Sequence, residues 1–88
     1  MYKYTTAPEL TTTIIYYKAK RECFGNMHGG YPSLVLAKEA CSVDSNCYGV
    51  YDMSCDNVGT FYLCNLAGAS IEASSSSCIY VKHSLGKF

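Results

Sequence analysis

The chain has 88 residues, 49% of them hydrophobic, with six cysteines and seven basic residues balanced by seven acidic ones. That length gives one domain, 1–88, whose small core leaves stability marginal without added constraints. Zero net charge removes the electrostatic footprint of a nucleic-acid binder and any general attraction to anionic membranes.

The first ten residues, MYKYTTAPEL, lack a basic start followed by an apolar run, and no segment approaches the ~18 apolar residues that span a bilayer. The chain therefore reads as a mature secreted domain, or as one module of a longer extracellular protein, with Met1 an added start residue and no membrane insertion. It contains no Asn-x-Ser/Thr sequon. Residues 11–17, TTTIIYY, are β-branched and aromatic and predict a strand with Ile14 and Tyr16 on one face and Ile15 and Tyr17 on the other. Both faces are apolar, which suits a strand covered on both sides. The next segment, GNMHGGYP at 25–32, holds three glycines and a proline and reads as a loop.

SLVLAKEACS, 33–42, predicts a helix of about ten residues capped by Ser33. Leu34, Ala37 and Cys41 fall on one face with Leu36 and Ala40 beside them, and Lys38 and Glu39 point away. VDSN makes a turn into a strand, CYGVYDM at 47–53; SCDNVG turns the chain again, and TFYLCNL at 60–66 returns. AGASIEASSSS, 67–77, is a small-residue connection that reads as solvated, and CIYVK, 78–82, is a last strand. Strand, helix, then three or more strands joined by short turns is an α+β arrangement: one helix on a twisted antiparallel sheet, core about 11–83.

Cysteines at 23, 41, 47, 55, 64 and 78 leave gaps of 17, 5, 7, 8 and 13 residues, with no Cys-x-x-Cys pair and no His at zinc-ligand spacing. An even count in a small chain instead points to three disulfides and an oxidising compartment. Fifteen pairings are possible. Proximity favours Cys55–Cys64 across a hairpin and Cys41–Cys47 from helix end to strand start. It leaves Cys23–Cys78 to close a loop of more than fifty residues, worth ~4 kcal/mol on the loop-entropy model.

The run LAKEACSVDSNCYGVYDMSC, continuing to YLCNL and ending in SCIYVK, resembles the PAN/Apple family of extracellular modules over roughly residues 20–82. The matching features are a helix ending in Cys41, a polar turn into Cys47 and the Tyr48–Tyr51 segment, a Cys64-x-Leu66 strand, and first and last cysteines that tie the two ends together. The family's second helix cysteine falls here on Ala37. Its strand partner corresponds to Cys64, so the departure leaves Cys64 free for Cys55. The resemblance implies recognition of an extracellular protein or a carbohydrate, and no catalysis.

Chemistry-bearing constellations are sparse. His28 and His83 stand in the Gly-rich segment and after the last strand, away from any nucleophile motif. Six cysteines pair off completely, so no thiol nucleophile is expected. Asp44, Asp52, Asp56 and Asn57 match no EF-hand spacing and read as turn formers in preference to calcium ligands; no cofactor is implied. Nine tyrosines, against three Phe and no Trp, are the unusual feature. Most suit half-buried sheet positions, yet sugar binding needs an exposed aromatic face beside planar donors and acceptors. Tyr48, Tyr51, Asp52 and Tyr62 on adjacent strands are the first candidate set, and His28 with Tyr31 the second. The expected function is thus a secreted, non-enzymatic adhesion or ligand-binding module. The alternatives are a Tyr- and Cys-rich matrix or adhesive component, favoured only if many tyrosines are exposed, and a small secreted inhibitor or effector.

Overall fold

A computed structural model describes residues 13–84, so residues 11 and 12 of the first expected strand lie outside the described residues. The elements run β1 (Ile14–Ala19), β2 (Arg21–Tyr31), α1 (Leu34–Ser42), β3 (Cys47–Asp52), β4 (Phe61–Ala73) and β5 (Cys78–Ser84). The five strands form one antiparallel sheet in the order β1-β5-β3-β4-β2. This is the expected α+β domain with one helix on the sheet.

The helix follows its sequence signals. Ser33 takes extended backbone (φ −145°, ψ 155°) and its hydroxyl accepts from the Leu36 N–H at 3.2 Å, satisfying one of the orphan donors of the first turn. Ala37 and Cys41 are buried against Cys47, Val50, Phe61 and Leu63, with Tyr16, Tyr31, Leu34, Ala40 and Tyr80 around them. At the other end, Lys82 of β5 donates to the carbonyls of Cys41 and Asp44, at 2.9 and 2.7 Å, a cation where the negative end of the helix dipole attracts one. Lys38 does not point away as expected. Its long stem turns back so that the ammonium lies 5.4 and 5.5 Å from the Tyr16 and Tyr80 ring centroids, a cation–π arrangement. Leu36 is exposed.

The strand pattern needs two larger corrections. The Gly-rich segment 25–32 is not a loop, because β2 runs through it to Tyr31, and β4 continues past residue 66 to Ala73. Glycine supplies what pairing requires here, since Gly25, Gly29 and Gly30 have φ near +102°, a region that suits bulges. Between the pairs Gly25↔Ala69 and Met27↔Cys64, β2 contributes only Asn26 while β4 contributes residues 65–68. The ribbon turns a corner there. Asn26 donates its side-chain amide to the Ala67 carbonyl at 2.8 Å, Asn65 accepts from the Ala67 N–H at 2.8 Å, and Gly68 has φ +94°.

That corner closes the sheet on itself. β1 and β2 stand at opposite edges, roughly 19 Å apart in a flat five-stranded sheet, yet only Lys20 joins them, a link spanning about 7 Å between flanking Cα atoms. The sheet must be rolled. β2 accordingly touches β5 although β3 and β4 separate them in the sheet order. Inside the roll, Cys23, Ala69 and Ile71 from the folded-over arm pack on Tyr51, Cys64, Ile79 and Val81. Gly49 lies in this layer, where a Cβ would meet the Tyr80 carbonyl oxygen at 2.5 Å. The second face of β1 is less covered than expected, with Ile15 and Tyr17 exposed, because β1 is an edge strand.

The disulfides are Cys23–Cys64, Cys41–Cys47 and Cys55–Cys78, with Cα separations of 6.2, 5.4 and 4.9 Å. Cys41–Cys47 is as expected; the hairpin bond Cys55–Cys64 and the end-to-end bond Cys23–Cys78 are not formed. Cys64 lies well inside β4, opposite Gly49, whereas Cys55 sits in the loop just beyond Asp52, whose β5 neighbour is Cys78. Cys23 reaches Cys64 only because the ribbon bends. Cys64 is opposite Met27, four residues from Cys23 or ~13 Å along a straight strand. The end-to-end tie implied by the PAN/Apple resemblance is therefore absent.

Candidate functional site

A cleft of about 280 Å³ opens where β3 ends and β4 begins, lined by Asp52, Met53, Ser54, Asp56, Val58, Gly59, Thr60 and Tyr62. Its wall is the loop 53–60, and Asp52 builds that loop. The Asp52 side chain is buried, and its two oxygens accept from the backbone N–H groups of Cys55 (3.2 Å) and Asn57 (2.8 Å). Cys55 and Asn57 both take left-handed backbone, φ 55° and 63°. Asn tolerates this conformation, whereas for Cys it costs about 1 kcal/mol or more. Two charge-assisted hydrogen bonds and the Cys55–Cys78 bond offset that cost. Asp56 accepts from the Val58 N–H at 3.2 Å, and Ser77 donates to the Met53 carbonyl at 2.7 Å.

The predicted residues divide. Asp52 and Tyr62 do meet at the cleft, but Asp52 serves as the loop's internal acceptor. Tyr62, half-buried on β4 beside Gly29 and Gly30, has one ring edge against the strand where glycines leave room: a Cβ at Gly30 would sit 3.9 Å from Tyr62 Cε1. Tyr51 is buried inside the roll, its hydroxyl donating to Ser77 Oγ at 3.4 Å. Tyr48 is half-buried and its hydroxyl accepts from Arg21. Tyr48, with a smaller contribution from Tyr17, raises the Arg21 guanidinium above its ordinary pKa. His28 and Tyr31 differ in their surroundings. His28 is exposed, 3.9 Å from Asp44, while Tyr31 packs in the layer between helix and sheet.

The acidic residues weighed as cation ligands have turn roles: Asp44 accepts from the Asn46 N–H at 3.0 Å, as Asp52 and Asp56 do within their loop. Among the described residues no three His, Cys, Asp or Glu side chains converge. The turn residues Met53, Ser54, Val58, Gly59 and Thr60 were not singled out by sequence reasoning as site residues. The available signal was a pair of aspartates, Asp52 and Asp56, flanking Cys55 in a turn that runs on to Tyr62. Of the seven described tyrosines only Tyr17 is exposed.

No family model, no curated protein and no solved structure matches the chain. Among the described residues, no helix is long and apolar enough to cross a membrane.

Proposed function

We propose that this chain is a secreted, PAN/Apple-like binding module that recognises a carbohydrate at the Asp52–Tyr62 cleft and catalyses no reaction. The observation that carries the reading is the cleft's composition. A tyrosine in its wall, Tyr62, stands beside the Ser54 and Thr60 hydroxyls and the Asp56 carboxylate. Sugar rings present an apolar C–H face to an aromatic ring and hydroxyls to planar acceptors and short donors, and this wall offers both. Three disulfides support an oxidising, extracellular setting. The helix ending in Cys41 and its bond to Cys47 support the family resemblance. A binding role fits the full pairing of the cysteines, which removes the thiol nucleophile.

The test is a glycan array run on the oxidised chain and on Tyr62→Ala and Asp56→Asn. Hits that weaken at least ~10-fold in both variants, equal to about 1.4 kcal/mol, support the reading. An empty array, or hits indifferent to both substitutions, overturns it, and selective capture of an extracellular protein would replace the sugar with a protein partner.

A further inference from the structure

We propose that the Cys55–Cys78 disulfide is a redox latch on the cleft: a small thiol reductant opens it before the other two bonds and frees the loop 53–60, while the rolled sheet and the helix stay in place. The three bonds differ in access. Cys23, Cys41, Cys47, Cys64 and Cys78 are all buried, at 0–2% exposure, whereas Cys55 is partly exposed. Cys41–Cys47 lies in the layer under the helix and Cys23–Cys64 inside the roll, so an incoming thiolate cannot approach either along the S–S axis without prior unfolding. Cys55 is the one cysteine of the six that is partly exposed, and exchange rates follow access to the attacked sulfur.

The reaction balances with two equivalents of thiol. The reductant's thiolate attacks Cys55 Sγ and forms a mixed disulfide there. The electron pair of the broken bond goes to Cys78 Sγ, which takes up the proton lost by the attacking thiol. A second thiol attacks the mixed disulfide, leaving Cys55 as a thiol and the reductant oxidised.

The loop is placed to respond. It lies outside the strand pairing, it holds Cys55 and Asn57 in left-handed backbone, and its remaining anchors are hydrogen bonds: Cys55 and Asn57 to Asp52, and Ser77 to the Met53 carbonyl. The covalent tether crosses to the start of β5, next to Asp52 in the register. Cutting it leaves the cleft wall on hydrogen bonds alone while β3, β4 and β5 keep their pairing. The consequence for ligand capture rests on the carbohydrate reading above; the latch itself does not.

The experiment treats the full oxidised chain with limiting dithiothreitol, quenches at intervals, alkylates free thiols and maps them by mass spectrometry, with amide hydrogen exchange on the same samples. The expected result is labelling of Cys55 and Cys78 while the other four cysteines stay unlabelled, together with at least a tenfold rise in exchange across residues 53–60 and none in α1 or in the paired core of β3 and β5. Opening of Cys23–Cys64 or Cys41–Cys47 first or in step, or unchanged loop exchange once Cys55–Cys78 is open, overturns the proposal. A Cys55→Ser/Cys78→Ser double variant should reproduce the freed loop without reductant, and collapse of its circular dichroism would make the bond structural and also overturn the latch. Neither readout involves a sugar, so failure of the glycan array leaves these outcomes intact.

Discussion

Asp52 shows how one buried carboxylate shapes a surface. Its oxygens accept from Cys55 and Asn57, and a charged acceptor is worth more than a neutral one at such positions. Asp52→Asn keeps the size but leaves one acceptor oxygen, so we expect a loss of about 1–2 kcal/mol in urea unfolding, and about 2–3 kcal/mol for Asp52→Ala, which removes the Asn57 acceptor and leaves the Cys55 N–H to the Asp52 backbone carbonyl alone. A loss below about 0.5 kcal/mol for Asp52→Ala would mean that the loop holds without it. Tyr80 supplies a pH dependence. Burial, and then the negative charge of Asp52, raise its phenol above the ordinary value. The folded chain therefore keeps the phenolic proton at a pH where the unfolded chain has lost it. The contribution is fully present below the unfolded pKa of about 10 and is lost as pH rises through the folded one. Unfolding midpoints measured from pH 9 to 11.5 should fall with a slope that Tyr80→Phe makes shallower, and an unchanged slope would refute the assignment. At this scale the sequence reveals which residue types stand near the cleft, but not their roles. Tyr62 and Asp52 are both legible as site candidates, yet whether a side chain faces a ligand or its own backbone depends on which N–H groups the turn points inward.

Elements were legible where one period dominates. The helix at 34–42 has its cap, its apolar face and its terminal cysteine in sequence, and Ser33→Ala should cost about 1 kcal/mol through the lost Leu36 contact, measurable by thermal unfolding. β2 and the second half of β4 were not legible, for one shared reason. They pair with each other around a corner, and a corner is written in Gly, Asn and Ala, the same residues that write a loop. Their burial is also set at a distance: Ile71 and Cys23 are covered by Ile79 and Val81, which no local window contains. Gly25 tests this account. A Cβ there would lie 2.5 Å from the Gly68 carbonyl oxygen, a backbone atom with no freedom to retreat, at φ +103°. Gly25→Ala should therefore destabilise the fold by at least about 2 kcal/mol, whereas Gly59→Ala, with open space around its Cβ, meets only the backbone cost of a positive φ, about 1 kcal/mol. Equal effects at the two positions would show that the corner is not tightly packed.

For the molecule as a whole, three bonds act on three different parts of the fold. Cys41–Cys47 joins the helix to β3 across a sequence separation of 6, Cys55–Cys78 fixes a loop across 23, and Cys23–Cys64 holds the folded arm across 41. Loop-closure entropy alone ranks them at roughly 2, 3 and 4 kcal/mol. The native geometry widens the gap for Cys23–Cys64, because this bond clamps the bent ribbon and so protects the burial of Tyr51, Ile79 and Val81 beneath it. Removing it as Cys23→Ala/Cys64→Ala should lower stability most of the three pairs, by about 4 kcal/mol or more, and should expose apolar surface as an arm that lifts away. Removing Cys55 and Cys78 should lower stability without exposing that surface. Dye binding to exposed apolar groups, read beside urea unfolding of the three double variants, separates the cases. If the Cys23/Cys64 variant is no less stable than the Cys41/Cys47 variant, the roll is held by side-chain packing and by the single-residue link at Lys20, and the bond follows the bend without maintaining it.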